Sequence, residues 1–141
     1  MTEAEYSEYI STFNAACAGD GTGFAAFFDR YYEPDAVFEY IPNATRNSGR
    51  DFTIRFWQGV HEQMQETIRP HISFLNVGST MASEAPIDFR CKRDLEWVGI
   101  PHKKDTSFRL MMAAFYELSP AKKIRYARVY SIFNEAYQPD P

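Results

Sequence analysis

The hydrophobic period of this chain changes between Glu66 and Ile68, and that change limits the fold more than any other feature. Before it, Tyr6, Ile10, Phe13 and Cys17 recur at spacings of three and four, which predicts a helix over Glu3–Ala18 stopped at Gly19. Phe24, Phe27, Phe28, Tyr31 and Tyr32 repeat the spacing in a short second helix, with Thr22 as its N-cap and Pro34 closing it. A β-rich run over 35–41 follows, then a polar loop from Asn43 to Gly49. Phe52, Phe56, Trp57, Val60 and Met64 place a third helix over 50–66. After the change, the segments 68–77, 81–98, 106–118 and 124–133 are rich in β-branched and aromatic residues and are separated by turn signals. Helices first and a meander afterwards is an α+β pattern: a curved antiparallel sheet wraps N-terminal helices as a cone, and the open end of the cone is a natural pocket.

Composition supports one such domain over residues 1–141. Aromatic residues make up 16% of the chain, with twelve Phe and nine Tyr, more rings than a core of this size needs, which suits a hollow lined by them. A formal charge of −4 argues against nucleic-acid partners. The sequence has no run apolar enough for a membrane span, and Glu3, Glu5 and Glu8 replace the basic start of a signal peptide, so a cytoplasmic protein is expected. Cys17 and Cys91 lie far apart without a CxxC or a histidine cluster; the expectation is two reduced core thiols, no metal and no cofactor. The glycines of 19–23 precede a helix but follow no strand and lack the lysine of a phosphate loop.

Several strings resemble the nuclear-transport-factor-2-like superfamily, in particular its SnoaL-like and ketosteroid-isomerase-like branches: Tyr32-Glu33-Pro34-Asp35-Ala36-Val37-Phe38, Ser48-Gly49-Arg50, and Lys123-Ile124 with Arg128-Val129-Tyr130. The resemblance spans nearly the whole chain and implies a cystatin-like α+β barrel, a small-molecule pocket and a homodimer, while leaving the chemistry open. It also works negatively. Tyr40 falls where ketosteroid isomerases keep their general-base aspartate, Ala114 where they keep the protonated acid of the oxyanion hole, and Thr12 near their helical tyrosine. Arg93 and Asp94 are adjacent, unlike the Arg-x-Asp of limonene epoxide hydrolases.

Strand alternation then nominates candidates. Phe89, Cys91, Arg93, Leu95 and Trp97 share the face turned to the helices, so Arg93 is either a ligand contact or a guanidinium that snorkels or pairs with a structural carboxylate. His61 and His71 are candidate acid/base groups, or buried structural histidines. Glu39 is a base or partner of Arg93 if it faces inward and a solvated edge residue if it does not. Tyr32, Tyr40 and Tyr116, with Trp57, Phe89 and Trp97, are expected to bind a flat, oxygenated, mostly apolar molecule. On the last strand, Ala127, Val129, Ser131 and Phe133 face the pocket, and Tyr126, Arg128 and Tyr130 join Met111 and Phe115 in an outer dimer patch. The expected activity is acid/base cyclisation, isomerisation or dehydration of a polyketide- or terpenoid-like substrate without a cofactor. A ligand-binding protein without turnover and a dimeric interaction module are the alternatives.

Overall fold

The computed structural model describes residues 1–140. Helix α1, Glu3–Ala18, begins at a reciprocal cap: the Thr2 hydroxyl accepts from the Glu5 amide at 3.2 Å, and the Glu5 carboxylate accepts from the Thr2 amide at 2.7 Å. Its buried stripe is Tyr6, Tyr9, Ile10, Phe13, Ala16 and Cys17. Helix α2, Gly23–Tyr31, buries Phe24, Phe27, Phe28 and Tyr31. Thr22 occupies its N-cap position but makes no side-chain cap bond; the Asp20 carboxylate instead accepts from both the amide and the hydroxyl of Thr22, closing an Asx turn.

Strand β1, Tyr32–Tyr40, starts earlier than the sequence predicts and contains Pro34 where its register against β9 shifts, a position that needs no amide donor. The expected polar loop contains a further edge strand, β2, Thr45–Ser48, antiparallel to β1. Helix α3 runs Arg50–Gln63, shorter than expected, because residues Met64–Ile68 form strand β3. Phe52 does not join the buried face of α3; it is 59% exposed, and the Arg55 guanidinium lies over its ring.

Strand β3 and strand β4, Ser73–Val77, pair with successive halves of the long strand β5, Thr80–Cys91, and are separated by the break at Arg69-Pro70-His71. After Cys91 the chain leaves the sheet. Strands β6, Leu95–Trp97, and β7, Ile100–His102, form a separate small hairpin, with Val98 and Gly99 at φ 50° and 79° in its turn. Strands β8, Ser107–Leu118, and β9, Ile124–Phe133, complete the sheet. The order is β2-β1-β9-β8-β5-β3, and β1 lies parallel to β9, so the sheet is mixed rather than wholly antiparallel. Alternate residues of β3, β5 and β8 are buried against the helices, giving an α+β cone with one aromatic core. Among the described residues, no helix is long and apolar enough to cross a membrane.

Candidate functional site

The cone encloses a cavity of about 50 Å³. Helices supply Tyr9, Phe13, Phe28, Phe56 and Trp57 to its wall, and the strands supply Tyr32, Phe38, Tyr40, Ile87, Phe89, Leu110, Met112, Tyr116, Val129 and Ser131, with Trp97 reaching in from the β6–β7 hairpin. All six aromatic residues nominated from sequence, Tyr32, Tyr40, Trp57, Phe89, Trp97 and Tyr116, line it.

Two hydroxyl clusters interrupt the apolar wall. Tyr9 and Tyr32 share a hydrogen bond of 2.8 Å, with the Tyr116 ring edge-on to Tyr9. Burial pushes the phenols of Tyr9, Tyr32 and Tyr116 above the ordinary tyrosine range, so they act as neutral hydrogen-bonding groups. The second cluster joins Tyr40 and Ser131 through their hydroxyls, and the Trp97 indole donates to the Tyr40 oxygen at 3.3 Å. That bond ties the hairpin to the barrel.

The carboxylate in the wall is Glu66, which sequence reading missed. Glu66 occupies the centre of β3, between Met64 and Ile68 on the inward face, and is 2% exposed. Asn14 of α1 fixes this edge strand: its amide donates to the Ile68 carbonyl at 2.8 Å and its oxygen accepts the Ile68 amide at 2.9 Å. The available signal was the alternation Met64, Glu66, Ile68 ahead of Pro70, hidden because Met64 also continues the helical stripe of Val60. Burial raises the Glu66 carboxyl above the usual carboxylate range, and the hydrogen bond to His61 opposes the shift in part.

His61, buried at the end of α3, places Nε2 at 3.3 Å from Glu66 Oε2 and 3.6 Å from Cys17 Sγ. The rings of Phe24 and Trp57 pack against its imidazole. Cys17, His61 and Glu66 thus bring three donor atoms within 4.8 Å of one another. They suit a metal ion poorly. The Lys92 ammonium donates to the His61 carbonyl, holding a positive charge beside the cluster. Burial also drives the Cys17 thiol far above its ordinary range, leaving it protonated.

The other nominated residues lie elsewhere. Arg93 is exposed in the bend after β5, outside the cavity wall. Its parity argument fails because the strand ends at Cys91, whose amide bonds Thr106, while Asp94 folds the chain outward by accepting from the Lys104 amide and the Lys103 ammonium. Glu39 points away from the cavity, accepting the Tyr126 hydroxyl and pairing with Arg46. Its neighbours Phe38 and Tyr40 take the inward face. His71 sits on the outside of α1, 2.7 Å from the Glu3 carboxylate, with its ring against Tyr6 and Phe74.

No family model and no curated protein sequence matches the chain. Solved structures do. A protein designated a SnoaL-like polyketide cyclase from Shewanella denitrificans superposes with a TM-score of 0.69 at 17% identity, covering 93% of this chain and 92% of that one. A protein of ketosteroid isomerase-like fold from Catenulispora acidiphila, solved with trimethylamine, gives 0.66 at 14% identity over 87% and 84% of the two chains. An LEH-like epoxide hydrolase of Mycobacterium tuberculosis gives 0.63 at 13% identity over 89% and 80%. At these identities the likeness is one of fold: the chain has the nuclear-transport-factor-2-like fold that SnoaL-like and ketosteroid isomerase-like proteins share.

Proposed function

We propose that the protein carries out acid/base chemistry on a small, mostly apolar, oxygenated molecule, with Glu66 as the group that moves the proton and no cofactor. One observation carries this reading: a buried carboxyl with an upward-shifted pKa faces an otherwise aromatic and aliphatic cavity. A carboxyl poised nearer neutrality can both take a proton from carbon beside a carbonyl and return one. The Tyr9–Tyr32 pair would serve a developing enolate oxygen, because neutral buried phenols are hydrogen-bond donors aimed at charge that appears only during reaction. Such chemistry fits cyclisation, isomerisation or dehydration of polyketide- or terpenoid-like carbonyl compounds, and the fold neighbours designated polyketide cyclases are consistent with it.

A cavity of about 50 Å³ is well below the roughly 300–1,000 Å³ of a typical ligand pocket. Admission of such a molecule requires the wall to yield, and the Trp97 hairpin, held to the barrel by the Trp97–Tyr40 bond and not by strand pairing with the main sheet, is the element we propose to give way. A second reading, ligand binding without turnover, draws support from the wall itself, where the phenols bond to one another and a single carboxyl is present. The protein is further proposed to form a homodimer through the outer face of β8 and β9.

One experiment separates turnover from binding. Binding of 1-tetralone is followed by tryptophan fluorescence, and deuterium incorporation beside its carbonyl in D2O by mass spectrometry. The catalytic reading expects the protein to accelerate incorporation and Glu66→Gln to reduce it by about a hundredfold or more while still binding the ketone. Binding with no acceleration in either protein would establish the binding reading instead.

A further inference from the structure

A polar cleft of about 430 Å³ lies on the outside of the cone, between the α1–α2 linker, α3 and Lys92. Cys17 and His61 line it, whereas Glu66 lines the inner cavity. The His61–Glu66 pair is therefore the partition between an apolar interior and a solvent-facing cleft. We infer that His61 is a relay residue acting through Glu66, passing protons between its carboxyl and water in the outer cleft while the inner cavity is closed. The inference rests on the acid/base reading of Glu66 and adds how that group is reset.

A base buried in an apolar cavity that returns a solvent-derived proton, as hydrogen exchange beside a carbonyl requires, needs a route to water, and a bound ligand blocks the inner side. Glu66 has one hydrogen-bond partner in the structure, His61 Nε2. The other atom near Nε2, the Cys17 sulfur, remains a thiol and does not accept the proton. His61 Nδ1 is buried with no protein partner, and His61 is one of the residues that line the cleft. Buried polar atoms are seldom unsatisfied, and the relay requires a water admitted from the cleft at Nδ1. The charged groups on that side are Lys92, Asp20 and Glu62, and the Lys92 ammonium is already committed to the His61 carbonyl.

The protons balance in both directions. When Glu66 acts as a base, its acquired proton passes to Nε2 while Nδ1–H passes to water. When it acts as an acid, the carboxylate draws the proton from Nε2 while Nδ1 takes one from water, restoring the first tautomer.

The test follows exchange of the Glu66 carboxyl proton with D2O by rapid-mixing infrared spectroscopy at mildly acidic pH, the carbonyl band being identified by its loss in Glu66→Gln. The measurement is made without benzene and with benzene at a concentration whose occupancy of the cavity is established by quenching of tryptophan fluorescence. A relay expects wild-type exchange to be insensitive to benzene and to slow at least about tenfold in His61→Phe, which fills the same space without carrying a proton. His61→Gln, a polar second variant, is expected to slow likewise. In His61→Ala, added imidazole should restore the rate and pyrazole, a poor base of the same shape, should not. Unchanged exchange in the histidine variants, slowing of the wild type by benzene, or equal rescue by pyrazole would each overturn the relay. Failure of the catalytic reading is distinct: it would appear as equal 1-tetralone exchange by wild type and Glu66→Gln, with the carboxyl measurement unaffected.

Discussion

Glu66 Oε2 lies 3.3 Å from His61 Nε2 with both side chains buried, so the carboxyl in the inner wall of the aromatic cone is backed by a histidine that lies behind that wall. The folded chain holds the Glu66 proton at pH values where the unfolded chain has released it. The stabilisation from that proton is fully present below the ordinary carboxyl value of 4.5 and is lost as pH rises through the raised folded value. Glu66→Gln removes the titration. Its stability relative to wild type is therefore expected to increase from acidic toward neutral pH, by about 1.4 kcal/mol for each pKa unit of upward shift. Denaturant melts across that range check this, and a pH-independent difference would show that Glu66 titrates normally.

The aromatic wall was legible in the sequence and the carboxyl was not, for the same physical reason. Phe89 and Tyr116 lie on strands whose period-two burial continues without interruption, so parity along the strand is enough to place them, and Tyr32 ends the helical stripe that Phe24, Phe27 and Phe28 begin. Glu66 lies just past the point where a helix becomes a strand with no glycine or proline to mark it, and its neighbours satisfy both periods. Arg93 failed in the opposite sense. Its parity was counted through a bend that hydrogen bonds from distant residues create, namely Thr106, Lys103 and Lys104. Glu39 was left between two faces by the sequence, and the pairing of β1 with β2 and β9 decides it.

That correction makes a prediction about Arg93→Leu. An exposed guanidinium in a bend outside the cavity wall contributes neither to ligand contact nor to core packing. Stability is expected to stay within about 0.5 kcal/mol of wild type, and 1-tetralone affinity to be unchanged. A clear loss of affinity by fluorescence titration would return Arg93 to the site.

Asn14 is expected to matter more than a partly buried polar residue on α1 ordinarily does. Its side chain makes both hydrogen bonds to the backbone of Ile68 and so anchors the β3 edge two residues from Glu66. Asn14→Ala should cost about 2 kcal/mol, roughly 1 kcal/mol for each lost bond, and should speed amide exchange at Ile68. Exchange at Ile68 as slow as in wild type would mean that β5 alone holds the strand.

The outer face of the sheet carries the last prediction. Phe115 and Tyr130 are 45% and 41% exposed and pack edge-to-face at 6.2 Å, and Ile132 beside them is 61% exposed. Tyr126, grouped with them by strand parity, is instead occupied by Glu39 and Arg46, so the apolar part of the patch centres on Phe115, Tyr130 and Ile132. Adjacent exposed rings on two neighbouring strands are costly in a monomer, and a second copy seated on the same face in a two-fold arrangement would cover them. Tyr130→Glu would place an unpaired carboxylate at the centre of that contact, where desolvation costs several kcal/mol. The expected result in sedimentation velocity over a concentration series is a wild-type dimer and a Tyr130→Glu monomer, both with the same circular dichroism. A variant that sediments as the same dimer as wild type would place the interface on another surface, and a monomeric wild type would remove the dimer altogether.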